Sequence, residues 1–212
     1  MSEPTKVFLV RHGATTWNLE KRAQGHADIA LSEEGRKQAA HVANELSHEH
    51  IDAVYSSDLK RARDTGAAIA AAHGLEVQID PDFREIDQGE WEGLTTEEIR
   101  DGWPDLWGPN RHYNTRPGGE SPQQVRTRAL KALKRAVSAH PGGTIVVVSH
   151  GGTIRWLSAE ALGYDDYRSR RIRGLGNGAV VCLAAQADSD HLILDNFARL
   201  DGNTTDLDDP ND

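Results

Sequence analysis

The sequence predicts an α/β protein, a three-layer α/β/α sandwich whose mostly parallel central sheet is flanked by helices. Three observations carry this. Short apolar runs of strand length, at 6–10, 53–56 and 144–148, alternate with segments whose apolar residues recur at helical spacing. The run 144–148 is the most apolar of the strands and reads as the buried centre of a sheet. Regular strand–helix alternation then calls for a parallel sheet with helices on each side.

The elements follow in order. Residues 6–10 form the first strand, and a polar, glycine-punctuated loop runs from 11 to 31. Ser32 caps the next helix, with Glu33 and Glu34 in its positive first turn. Ala39, Val42, Ala43 and Leu46 form its apolar stripe. Ala53–Ser56 is the second strand, and Asp58 is the expected cap of a helix carrying Leu59, Ala62, Gly66, Ile69 and Ala70 on one face. Residues 75–79 are a third strand. The stretch 81–121 is irregular apart from a short helix capped by Thr95 and containing Glu97, Glu98 and Ile99. Pro122–Ala139 is a long helix marked by Val125, Ala129, Ala132, Leu133, Ala136 and Val137. After the strand at 144–148, Gly151 and Gly152 open a helix that runs through Leu162, and residues 179–184 and 191–197 are the last strands. Residues 1–200 read as a single domain with a capping segment around 81–121, and 201–212 as an acidic tail expected to be disordered.

Composition narrows the function classes. A net charge of -9 over 212 residues argues against nucleic-acid or anionic-membrane partners, so an anionic ligand needs a locally positive pocket. No apolar run approaches the roughly 20 residues that span a bilayer. The single cysteine, Cys182, rules out an internal disulfide framework and reads as a buried core thiol, and a cytoplasmic location is expected. His41, His48 and His50 cluster near a helix end, but no cysteine or carboxylate–histidine motif completes a metal site, and no metal or other cofactor is expected.

In parallel sheets ligands bind beyond the carboxyl ends of the strands. Arg11 and His12 follow the first strand, Ser57 and the helix bearing Arg61 the second, and His150 the most apolar one. These residue types suit a phosphate monoester. Arginine donates paired hydrogen bonds and stays charged, so Arg11 and Arg61 grip a phosphoryl group from two sides. A neutral imidazole nitrogen needs no separate base to act as a nucleophile, the role for His12. His150 serves as a second donor to the transferring group. Gly13 and Gly151 leave room for close backbone approach beside each histidine. Glu85 is the candidate to protonate the leaving oxygen, although Asp82, Asp87, Glu90 and Glu92 stand close by and chemistry alone does not single it out. Each residue taken singly has a plainer reading: Arg61, for example, fits a solvated helix face with Asp58 and Asp64 as ion-pair partners. Joint occurrence at strand ends is what favours the chemical reading.

The order of motifs then matches a known family. Leu9-Val10-Arg11-His12-Gly13-Ala14-Thr15-Thr16-Trp17-Asn18 resembles the signature of the histidine phosphatase superfamily, also called phosphoglycerate-mutase-like. The resemblance continues through Gln24-Gly25, Leu31-Ser32-Glu33-Glu34-Gly35, Ser56-Ser57-Asp58-Leu59-Lys60-Arg61-Ala62, Arg84-Glu85-Ile86-Asp87-Gln88-Gly89-Glu90-Trp91-Glu92-Gly93, Gly118-Gly119-Glu120-Ser121 and Val148-Ser149-His150-Gly151-Gly152. It implies an α/β fold with a central sheet flanked by helices and a metal-independent mechanism. It further implies that His12 becomes phosphorylated, that Arg11, Arg61 and His150 complete the phosphate pocket, and that Glu85 donates the proton. Asn18, Gln24 and Gly25 fall at substrate-binding positions by the same resemblance. The implied substrate is a small phosphorylated metabolite.

Within the family the phosphatase branch fits better than the cofactor-dependent phosphoglycerate mutases. Mutases usually carry a longer insertion with an adjacent arginine pair, whereas 103–121 is short and its Arg111 and Arg116 are not adjacent. Ala14 stands where mutases usually have an acidic residue. A phospho-ligand-binding protein without turnover is a third reading, at odds with the presence of all five catalytic side chains. Trp103, Trp107, Arg111, His112, Tyr113 and Arg116 form the expected cap, with an arginine to meet a second anionic group, although the tryptophans equally suit packing of the loop onto the body. Asn177, in a glycine-rich stretch before a strand, is a substrate contact or a tight-turn residue. Arg168, Arg170, Arg171 and Arg173 are a solvated basic run or an anion-steering one. A homodimer stays open.

Overall fold

Ile145, Val146, Val147 and Val148 have no exposed surface, and the strand they form, β4 (Thr144–Ser149), sits inside the sheet. The computed structural model describes residues 3–107, 114–169, 172, 175–188 and 191–199. Its strands are β1 (Thr5–Arg11), β2 (Ala53–Ser56), β3 (Val77–Ile79), β4, β5 (Val180–Ala187) and β6 (Leu192–Arg199). Its helices are α1 (Thr16–Leu19), α2 (Glu33–Leu46), α3 (Lys60–Ala72), α4 (Thr96–Gly102), α5 (Pro122–Ala139), α6 (Gly151–Ala161) and α7 (Asp166–Ser169), with 3-10 turns at Pro81–Phe83 and Gly89–Trp91.

The six strands are ordered β3-β2-β4-β1-β5-β6. β3, β2, β4 and β1 pair in parallel, whereas β5 runs antiparallel to both β1 and β6. The sheet is therefore mixed by one reversed strand. Side-chain alternation sorts the core into two layers. Val7, Leu9, Ile145 and Val147 pack with Leu133 of α5 and Leu157 of α6, while Phe8, Val10, Val146 and Val148 pack with Leu46 of α2 and Ile69 of α3. Each fully buried side chain of this size contributes about 1.5–3 kcal/mol. Burying both faces of β1 and β4 pins their shared register, Arg11 opposite Ser149, because a one-residue slip would exchange the two apolar sets.

Four local readings change. Asp58 does not cap α3; the cap position is Leu59, with no side-chain bond, because the Asp58 carboxylate takes two hydrogen bonds from Arg84. The third strand starts at Val77 rather than 75, because the N–H of Leu75 reaches back to the Ala70 carbonyl and closes α3 over Gly74 at φ +67°. The loop 11–31 contains α1, a single turn with a capping box between Thr15 and Asn18. Cys182 is half-buried against the α2/α3 layer rather than enclosed in the core, and burial pushes its thiol pKa up. No helix among the described residues is long and apolar enough to cross a membrane. The tail 201–212 lies outside the described residues.

Candidate active site

The β1–β4 register builds the site. Arg11 is opposite Ser149, so the next residues, His12 and His150, leave adjacent parallel strands side by side, and the His12 N–H donates to the Ser149 carbonyl at 3.1 Å. Their rings meet edge to face with centroids 5.0 Å apart. Both are buried, at 3 % and 0 % exposure. Arg11 continues the Val7–Leu9 side of β1 and lies against Gly151 at the start of α6, where a Cβ would stand 3.4 Å from its guanidinium. Arg61 comes from the first turn of α3, on the opposite face of the sheet. At 1 % exposure it is a buried residue, not one on a solvated helix face.

The two histidines hold complementary tautomers. Nδ1 of His12 lies 2.7 Å from the Gly13 carbonyl, an oxygen that only accepts, so Nδ1 carries the proton and Nε2 keeps a lone pair. Nδ1 of His150 lies 3.3 Å from Nε of Arg61, which only donates, so His150 carries its proton on Nε2. That Nε2 and the Nε of Arg11 are both buried without a hydrogen-bond partner among the described residues. Burial, followed by the charges of Arg61 and Arg11, holds His12 well below the usual histidine pKa. Burial, Arg61, His12 and Arg11 do the same to His150. Both rings are thus neutral at pH 7.

Arg61 is fixed by its surroundings. Its Nη1 and Nη2 donate to the carbonyls of Ala27 and Gly25, each at 2.7 Å. Burial pulls its pKa down to about 10, so it stays charged at neutral pH. Burial likewise lowers Arg11, partly opposed by Glu85. The loop carrying Gly25 and Ala27 is in turn held by Glu92, whose carboxylate accepts from the N–H groups of His26 and Ala27. Glu85 sits opposite this cationic group. Its two carboxylate oxygens accept from the N–H of Ile86 at 2.9 Å and of Gly152, in the first turn of α6, at 3.0 Å.

The remaining expected site residues take distinct places. Asn18 Oδ1 accepts from the Thr15 N–H and from Asn177, which also donates to the His12 carbonyl at 3.0 Å. Gln24 accepts from the Thr15 hydroxyl. Gly25, at φ +51°, lends its carbonyl to Arg61. Asn177 occupies a turn with Gly178 at φ +78° and still touches the His12 backbone, so turn chemistry and site position coincide. Gly13 serves packing rather than ligand approach: a Cβ there would stand 2.8 Å from the backbone carbonyl carbon of Gly35, so its absence lets α2 close onto the loop. Trp103 and Trp107 pack edge to face on Trp91, each at 6.3 Å, and Arg116 stacks over the same ring at 4.8 Å. Arg111, His112, Tyr113, Arg170, Arg171 and Arg173 lie outside the described residues.

Sequence reading missed Arg155. It lines a cavity of about 50 Å³ with Glu85, Arg116 and Gly152, and its charge is felt at Arg11. The signal was helical spacing: Gly152, Arg155 and Trp156 stand at i, i+3 and i+4 on one face of α6, and all three line that cavity.

Residues 7–197 match the model of the histidine phosphatase superfamily (branch 1). Phosphoglycerate mutase-like protein 4 of Arabidopsis thaliana is 45% identical over 162 residues, 74% of this chain and 70% of that protein. Phosphoserine phosphatase 1 of Hydrogenobacter thermophilus is 41% identical over 163 residues, 76% of this chain and 77% of that protein. A solved mycobacterial glucosyl-3-phosphoglycerate phosphatase in complex with VO3 superposes with a TM-score of 0.82 at 33% identity, covering 89% of this chain and 95% of that one.

Proposed function

The chain belongs to the histidine phosphatase superfamily, and on that premise we propose that it hydrolyses small phosphate monoesters through a phosphohistidine at His12. One observation carries the reading: two buried imidazoles edge to face in opposite tautomers, with Nε2–H of His150 and Nε–H of Arg11 buried without a hydrogen-bond partner among the described residues. An unsatisfied buried donor costs about 1–3 kcal/mol, and a phosphoryl oxygen relieves that cost.

The reaction follows from the atoms. Nε2 of His12 attacks phosphorus with its lone pair, needing no base because the ring is already neutral. Arg11, Arg61 and Nε2–H of His150 hold the equatorial oxygens as charge shifts along the reacting axis. As the bond to the ester oxygen breaks, that oxygen takes a proton from the protonated form of Glu85, which becomes the carboxylate. The resulting carboxylate takes a proton from water, the water oxygen attacks phosphorus, and His12 leaves with its lone pair restored.

Arg116 and Arg155 stand on the Glu85 side, where the alcohol leaves. This supports substrates whose alcohol carries a second anionic group, as the names phosphoserine phosphatase and glucosyl-3-phosphoglycerate phosphatase describe for the similar proteins. Asn18, Asn177 and Gln24 line the approach to His12 in this reading. The half-buried single thiol suits a reducing, cytoplasmic setting. Phosphate release from p-nitrophenyl phosphate with a chelator present tests the function. Release that His12→Ala abolishes is the expected result, whereas isomerisation of 3-phosphoglycerate without net release would overturn it.

A further inference from the structure

Among the described residues no backbone N–H donates to the carbonyls of residues 82–85, so these depend on side chains from elsewhere. Ser149 donates to the Phe83 carbonyl and Thr153 to the Arg84 carbonyl, each at 2.7 Å. The largest share falls to Arg128, on α5. Its Nη1 donates to the carbonyls of Asp82 at 2.8 Å and Arg84 at 2.7 Å, and its Nη2 to the carbonyl of Glu85 at 2.7 Å. Its Nε and Nη2 also bind the two oxygens of Glu120, at 2.9 and 2.8 Å. Glu120 closes the ring by accepting from the Asp87 N–H at 3.0 Å, and its own N–H donates to the Asp87 carbonyl. The pair is largely enclosed, at 16% and 21% side-chain exposure, so this ion pair escapes most solvent screening.

We infer that Arg128, fixed by Glu120, is a positioning residue for proton transfer: its planar fork sets where the Glu85 carboxyl stands relative to the leaving oxygen. Arg128 touches no reacting atom. It acts by spanning residues 82–85 from one side while the N–H of Gly152 holds the Glu85 carboxylate from the other. Displacement of a catalytic group by about 1 Å costs on the order of 100-fold in rate. Lysine at this position keeps the charge but presents its donors from a single point, so it reproduces neither the three carbonyl contacts nor the fork on Glu120. This inference rests on the proton-donor role of Glu85 proposed above.

The test compares an alkyl phosphate, O-phospho-L-serine, with the activated ester p-nitrophenyl phosphate in the full-length protein, Arg128→Lys and Glu85→Gln. A poor leaving group needs the proton, whereas nitrophenolate does not. Arg128→Lys is expected to lower kcat/KM for phosphoserine by about 100-fold, with a much smaller loss on the aryl ester, because kcat/KM reports phosphoryl transfer to His12 and not the later water step that both esters share. Equal losses on both esters, or none, overturn the positioning role. If Arg128→Lys does not fold, Glu120→Gln, which leaves the guanidinium but removes the charge that orients it, is read by the same ratio and the same criterion. Glu85→Gln separates the two layers: should it lose both esters equally, the proton-donor reading itself fails rather than the clamp.

Discussion

Nε of Arg61 lies 3.3 Å from Nδ1 of His150, and the two side chains are 1 % and 0 % exposed. One hydrogen bond between α3 and the end of β4 thus decides which nitrogen of His150 carries its proton. Lysine at position 61 retains the charge but cannot hold His150, Gly25 and Ala27 together. Arg61→Lys is expected to lower kcat/KM by about 10²–10³-fold, the loss typical of one removed oxyanion donor. The accompanying change is visible as loss of the single Nε2–H tautomer of His150 in nitrogen-15 spectra.

The buried histidines also make stability depend on pH. Both are held well below the ordinary value of 6.5, His12 and His150 alike chiefly by burial. Below about pH 6.5 the unfolded chain binds protons that the folded chain refuses. The stability is therefore fully present above that pH and lost as pH falls through it, by up to about 1.4 kcal/mol per pH unit for each histidine. Urea midpoints between pH 7.5 and 5.5 are expected to fall with pH, and less steeply in His150→Asn. An unchanged slope in that variant contradicts the assignment.

Two glycines should separate folding from chemistry. A Cβ on Gly13 would clash with the backbone carbonyl oxygen of Gly35, and one on Gly152 with a carboxylate oxygen of Glu85. Backbone cannot yield cheaply, whereas a side-chain end can. Gly13→Ala is expected to cost about 1–3 kcal/mol of stability. Gly152→Ala should leave the melting temperature nearly unchanged but displace Glu85, so that alkyl esters lose more turnover than aryl esters.

The cavity lined by Glu85, Arg116 and Arg155 gives a further contrast. Arg155→Gln and Arg116→Gln are expected to raise KM for phosphoserine by about tenfold, the equivalent of 1.4 kcal/mol. Phosphoethanolamine, which lacks the carboxylate, should be affected far less. Parallel losses on the two substrates would remove the second-anion role.

The legible parts of this protein were those with local causes. The strands at 144–148 and 53–56, the Ser32 cap and the stripe on α5 follow from period and side-chain chemistry, and they reappear in the structure. The strand-end rule brought Arg11, His12, Arg61 and His150 into one place, because register is set by burial on both faces of β1 and β4. What stayed hidden depends on contacts distant in sequence. Asp58 looks like a cap until Arg84, 26 residues on, claims its carboxylate. Gly13 looks like a ligand-approach residue until Gly35 is seen against it. The reversal of β5 has no signature in its own residues, and Arg128 is one of several arginines on a helix until its partners at 82–85 and 120 are in place.

The most direct measurement of the central claim is isolation of the phosphorylated protein during turnover. Rapid alkaline quenching of the enzyme with labelled substrate, followed by peptide mass spectrometry, should find phosphorus on a ring nitrogen of His12 that is stable to alkali and released by acid. Label on another residue, or steady hydrolysis at full rate with no labelled protein at any quench time, contradicts it.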